Sequence, residues 1–154
     1  MQTRMKNPVF IFPDAMKALQ TLHAATEQGG VPPATLALVE LRASQINGCS
    51  VCVDLHTRMM RKAGETDDRI VAVAAWRHFP TFTAAERAAL ALTEAVTRLA
   101  DREDPVPDTI WAEAARHYDQ RALAALILAI AGINVWNRLN VSVGQLVGEW
   151  KADW

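Results

Sequence analysis

Nowhere along the chain do apolar and polar positions alternate in a long β-branched run. Alanine- and leucine-rich stretches follow one another instead, with few glycines between them. The pattern predicts helices throughout. The first runs from Asp14 to about Gln28 and is closed by Gly29-Gly30. Pro32 and Pro33 stand where a second begins, and "ATLALVELRASQI" carries it to the break at Asn47-Gly48. A third ends at Gly64, and a fourth starts near Thr66-Asp67 and runs to about Trp76, before the loop at Pro80. Thr83-Ala84-Ala85-Glu86 spells a capping box that opens a fifth, "AAERAALALTEAVTRLA". After the acid- and proline-rich loop "DREDPVPD", Pro107 starts a sixth helix through about Tyr118, and Asp119 caps a seventh. With no repeat, low-complexity tract or linker, the expectation is one all-α domain over residues 1–154, a bundle of about six to seven helices.

The last helix, "RALAALILAIAGINVWNRLNVSVGQL", is apolar nearly all round, so it needs neighbours on most sides. Either it runs through the centre or another subunit covers part of it, which predicts a homo-oligomer. The five tryptophans fit an interface as well, although core packing is the commoner fate of any single one. The longest apolar run, Ala122 to Trp136, is interrupted by Gly132 and Asn134 and is too short for a membrane span. The 154 residues, 51% of them hydrophobic, suffice for a real core, and the net charge of −1 gives no footprint for nucleic acid or an anionic membrane. The segment "MQTRMKNPVFIFPDAMK" lacks the features of a secretory signal, so a cytoplasmic protein is expected. In that compartment a paired-cysteine motif serves catalysis or metal binding rather than stapling.

Candidate chemistry concentrates in "SQINGCSVCVDLHTRMMRKAG", which holds both cysteines of the chain, Cys49 and Cys52. Offsets of three and seven residues return to nearly the same helix face, so Cys49, Cys52 and His56 form a stripe over two turns. The Asn47-Gly48 break puts Cys49 in or near the first turn, where free amides and the helix dipole favour a thiolate. Two thiols one turn apart can close a disulfide, and His56 lies one turn beyond Cys52, placed to accept or relay its proton. These are the parts of a thiol redox site: a thiolate attacks an electrophile such as a peroxide, becomes a sulfenic acid, and condenses with its neighbour. Zinc held by Cys49, Cys52, His56 and Glu40 is a competing reading, disfavoured because no second cysteine pair or His-x3-5-His completes a site. Inert buried thiols beside a satisfied histidine are another.

The stretch "SQINGCSVCVDLHTRMMRKAGET" resembles the signature of the AhpD-like alkylhydroperoxidases, in the carboxymuconolactone decarboxylase superfamily, whose core pattern is Cys-x-x-Cys-x-x-x-His in a small all-helical domain. The similarity extends through "AAWRHFPTFTAAERAALALTEAVTRLA" and "INVWNRLNV", spanning most of Pro33 to Val143. The resemblance implies that Cys52 attacks the peroxide, Cys49 resolves the product and His56 relays the proton. It implies a hydroperoxide substrate, an external dithiol or lipoyl-type reductant, a trimer or hexamer, and no metal or organic cofactor. Two positions depart from the pattern. The relay glutamate expected twelve residues before the first cysteine is Ala37, while Glu40 stands one helical turn later; and Val51 occupies the place of a histidine between the cysteines. Glu40 is therefore the candidate carboxylate, unless it pairs with Arg42 or a distant arginine.

Arg42 and Ser44, the histidines His23, His78 and His117, and the polar interruptions Asn134, Asn137 and Arg138 beside Trp136 stay outside the catalytic set; so does Trp76. The asparagines and Arg138 are read as bracing for the site or an interface. Three functions follow: a thiol peroxidase or disulfide reductase, a lactone decarboxylase that needs no thiols, and a redox-sensing helical oligomer without turnover.

Overall fold

A computed structural model of the protein describes residues 1–149. Among the described residues there are eight α-helices and no strand. They are α1 (Pro8–Ile11), α2 (Pro13–Glu27), α3 (Pro33–Ile46), α4 (Ser50–Lys62), α5 (Asp67–Ala72), α6 (Ala84–Thr97), α7 (Asp108–His117) and α8 (Gln120–Val143). The count exceeds the sequence expectation through α1, a single turn begun by Pro8 and capped by the Asn7 side chain. Four residues are too few to show a helical period.

Helix α3 packs against α4, α6 and α8 and is buried on nearly every side, with Leu38, Val39 and Leu41 sealed from solvent. Truncating such a leucine to alanine costs about 2–5 kcal/mol. Its flank against α6, α7 and α8 forms one apolar cluster around Val39, Leu92 and Leu126. A second, around Leu38, Met60, Trp76 and Leu90, joins α3 to α4, α5 and α6. A small third one holds Ala43, Cys49, Val51, Cys52 and Ile133, with Trp136 against it. The cysteines are thus core residues of the α3–α4–α8 junction.

The fourth expected helix splits in two. After α5 the chain tightens into a 3-10 turn over Val73–His78, and Ala75 leaves helical geometry at φ −132°, ψ 35°. Tertiary contacts impose the break: the Trp76 indole donates 2.9 Å to Glu94, and Arg87 collects the carbonyls of Trp76, Arg77 and Phe79. The capping box at Thr83 and Glu86 forms as the sequence predicts.

Helix α8 runs unbroken through Gly132 and Asn134, to Gly144 in the left-handed region at φ 64°, where the Gln145 amide returns 2.9 Å to the Asn140 carbonyl. The expectation that no stretch reaches spanning length is therefore revised: by length and composition α8 is apolar enough to cross a membrane. Half of its most apolar 18-residue window is buried inside the fold, against α2, α3, α6 and α7. Asn134 does not interrupt it because its amide is satisfied internally, 2.8 Å from the Ile130 carbonyl and 3.2 Å from Thr97 Oγ1. Of the tryptophans, Trp76 is buried, Trp136 partly so and Trp111 exposed; Trp150 and Trp154 lie outside the described residues.

Candidate active site

The turn between α3 and α4 fixes the sulfurs. Gly48 adopts φ +65°, a conformation that a side chain resists, and this lets the Cys49 amide fold back 3.0 Å to the Ser44 carbonyl. Asn47 clamps the turn to α8, its Nδ2 donating to Asn134 Oδ1 at 2.9 Å and Asn137 Oδ1 at 2.8 Å. Asn137 donates in turn to Ser44 Oγ at 3.1 Å. Cys49 becomes the N-cap of α4, its sulfur accepting from the Cys52 amide at 3.4 Å. Cys52 sits in the first turn, where no acidic side chain opposes the positive helix end. The two are joined as a disulfide with Cα atoms 5.3 Å apart.

His56 projects from the next turn of α4 and is buried. Its Nδ1 lies 3.5 Å from Glu40 Oε2 and has no hydrogen-bond partner. Burial pushes the imidazole below its ordinary value, against the pull of Glu40, and His23 adds to the lowering, so the ring is neutral at neutral pH. The other oxygen of Glu40 lies 3.4 Å from Nδ1 of His23, a half-exposed residue of α2. Glu40 raises His23 above the ordinary histidine value, outweighing partial burial. One carboxylate thus stands between two imidazoles that differ in their exposure to solvent.

These groups border a pocket of about 290 Å³ between α2, α3, α4 and α8. Its walls are largely apolar, with Leu19, Leu55, Met59, Ile133 and Trp136; the polar residues His23, Glu40, His56 and Asn140 lie together with Cys52. Cys52 faces this space and Cys49 does not, standing behind its partner in the small third cluster. Asn140 Nδ2 donates to Cys52 Sγ at 3.3 Å. All four residues expected at the site, Cys49, Cys52, His56 and Glu40, are therefore brought together. Among the described residues no three His, Cys, Asp or Glu side chains are disposed to hold a metal ion.

Several neighbours differ from expectation. His23, set aside as an ordinary polar residue, belongs to the site, 17 residues from Glu40 on a separate helix where no local motif could flag it. Asn140 was missed too, although it extends the Asn134–Asn137 spacing by another three residues. Arg42 does not pair with Glu40: it pairs with Glu94 at 2.7 Å, which leaves Glu40 to the histidines. Ala37 packs into the second apolar cluster. His117 makes an exposed contact with Glu113 on its own helix at 3.2 Å.

Fold and site define an all-α protein with a disulfide-bonded cysteine pair at a helix start, one sulfur of which, that of Cys52, faces an apolar pocket. Residues 13–95 match the carboxymuconolactone decarboxylase family, and the chain belongs to that family as an AhpD-like member. It is 37% identical over 135 residues to the uncharacterized protein YdfG of Bacillus subtilis, covering 88% of this chain and 90% of YdfG. It is 32% identical over 108 residues to the uncharacterized protein YnjA of Escherichia coli, covering 70% of this chain but only 58% of YnjA. A crystal structure from Agrobacterium tumefaciens, of a protein of unknown function proposed to be the antioxidant defence protein AhpD, superposes with a TM-score of 0.88. It shares 33% identity, over 97% of this chain and all of that one. The debrominase Bmp8 has the same fold at 20% identity, with a TM-score of 0.78 over 89% of this chain and 73% of Bmp8.

Proposed function

We propose that the protein is a thiol-dependent peroxidase that reduces a hydroperoxide at Cys52. One observation carries the reading: of the paired sulfurs, Cys52 is the one that lines the pocket, together with His56 and Glu40. The family assignment and the likeness to the Agrobacterium protein support it. In the reduced enzyme the Cys52 thiol gives its proton to neutral His56, and the thiolate attacks the outer peroxide oxygen. The O–O bond breaks, the departing alkoxide takes the proton from His56 and leaves as the alcohol, and Cys52 is left as the sulfenic acid. The Cys49 thiol then displaces water from that sulfur and forms the disulfide seen here. An external dithiol, of lipoyl type by family resemblance, restores both thiols and is itself oxidised to its disulfide. A cytoplasmic homo-oligomer, trimer or hexamer, is the accompanying proposal.

Serine substitutions test the cycle. Cys52→Ser abolishes peroxide consumption with a dithiol reductant, whereas Cys49→Ser stops after one equivalent and accumulates a sulfenic acid visible by mass spectrometry. Peroxide turnover at wild-type rate in both variants sinks the proposal. Lactone decarboxylation is proton transfer next to a carboxylate and uses no sulfur, so lactone activity in the doubly substituted protein would identify that chemistry instead. A redox sensor would show one stoichiometric oxidation, a changed assembly size, and no steady-state rate.

A further inference from the structure

Cys52 is almost completely buried, and burial in an apolar cluster disfavours a thiolate. A reactive anion there needs a hydrogen-bond donor. The Cys52 amide is already committed to Cys49. The side-chain amide of Asn140 reaches the Cys52 sulfur and donates to it at 3.3 Å.

An asparagine can turn either its NH2 or its oxygen toward a neighbour, and an oxygen facing the sulfur would repel the anion. Here the orientation is dictated from outside the site. The backbone amide of Val9 can only donate, and it donates to Asn7 Oδ1 at 3.3 Å. That turns Asn7 Nδ2 outward, where it donates to Asn140 Oδ1 at 2.8 Å. Asn140 must then present its own Nδ2 to Cys52. Asn7 and Asn140 are both buried, so neither is free to re-pair with bulk water.

We infer that Asn140 is the thiolate donor of Cys52 and that Asn7, which does not touch the sulfur, is a positioning residue holding the Asn140 amide in donating orientation. This deepens the peroxidase reading by assigning what activates its nucleophile. It also gives the segment before α2 a role in the chemistry. Asn7 lies 133 residues from Asn140 in sequence, and the same N-terminal segment is tied to the end of α8 by the Arg4 amide, 2.8 Å from the Val143 carbonyl.

The test is the pH dependence of Cys52 alkylation in a Cys49→Ser background, where a single thiol remains and serine still caps α4. Asn140→Leu removes the donor at similar volume. Asn7→Asp keeps an acceptor for Val9 but replaces the group that donates to Asn140, so the Asn140 amide must turn its oxygen to the sulfur. Each is expected to move the alkylation midpoint up by about one pH unit or more, the effect of one lost hydrogen bond to an anion. Both slow alkylation at pH 7 about tenfold. An unchanged midpoint in folded variants overturns the inference. With both asparagines intact, the Asn140 side-chain NH2 signals in a 15N spectrum should shift with the same midpoint as the thiol. Signals that ignore the titration overturn it equally, whether or not the substituted proteins fold. Peroxide turnover is not read in any of these, so failure of the peroxidase proposal leaves the result interpretable.

Discussion

At the residue level, Glu40 pulls both imidazoles upward, prevailing at His23 and losing to burial at His56. Its charge opposes the desolvation of His56 and holds His23 above its ordinary value. Glu40→Gln should therefore lower both. His23 is half-exposed, so an NMR titration can follow it; its pKa should fall back to the ordinary histidine range, and an unmoved titration would refute the pairing. Peroxide turnover should drop about 10²-fold, the low end for a lost acid–base group. The sequence did reveal Cys49, Cys52 and His56, because all three share one helix and helical geometry alone puts them on one face. As a relay carboxylate Glu40 was reachable only by family resemblance, since its partner lies across a helix–helix contact. His23 and Asn7 were illegible: each meets the site through tertiary packing from a segment with no spacing relation to the cysteines.

Among elements, the docking of α2 on α8 sets the wall of the pocket that carries Leu19 and His23. Gly29, just past the end of α2, makes that approach possible: a Cβ there would lie 2.2 Å from the Ala125 Cβ and 3.3 Å from the Arg121 carbonyl. Neither neighbour can swing aside. Gly29→Ala should destabilise the protein by about 1–3 kcal/mol, the usual cost of overpacking a tight contact. It should also shift the end of α2 and with it His23. Adding Ala125→Gly returns the missing space, so the double variant should be more stable than Gly29→Ala alone, measured by urea unfolding. A double variant that is simply additive would place the strain elsewhere. The Gly29-Gly30 pair was readable in sequence as a helix end, and the boundaries of α2, α3 and α4 follow from proline, glycine and cap positions. What no local signal contained was the close approach itself. The kink at Ala75 escaped prediction for the same reason, because Arg87 and Glu94 impose it from α6.

Across the whole molecule, one carboxylate ties three elements together, and acid should release it. Glu94 of α6 accepts from Arg42 of α3 at 2.8 Å and from the Trp76 indole at 2.9 Å, and pairs with Arg77 at 2.7 Å. Burial works to raise its pKa, but the hydrogen bonds from Arg77, Trp76 and Arg42 outweigh it and bring the value down to about 2. A carboxyl depressed on folding contributes stability above its unfolded value of 4.5, and that contribution is lost as pH falls from there toward 2. His56 acts earlier and in the same direction: below its ordinary value of 6.5 the unfolded chain takes a proton that the folded site resists. His23, raised on folding, does the opposite. Its contribution is full below 6.5 and fades as pH rises through the higher folded value. The histidine effects thus fall in adjacent ranges, His23 above 6.5 and His56 below it, and comparison with Glu94→Gln, which keeps both histidines, isolates the Glu94 contribution. Glu94→Gln should cost about 1–2 kcal/mol at pH 7, allowing for solvent screening of the partly exposed ion pairs. The urea-unfolding curves of wild type and variant should then converge as pH is lowered from 4.5 toward 2, because protonation removes from the wild type what the substitution removed already. Parallel curves over that range would mean that the carboxylate charge contributes nothing there, and that Glu94 joins the three elements by shape alone.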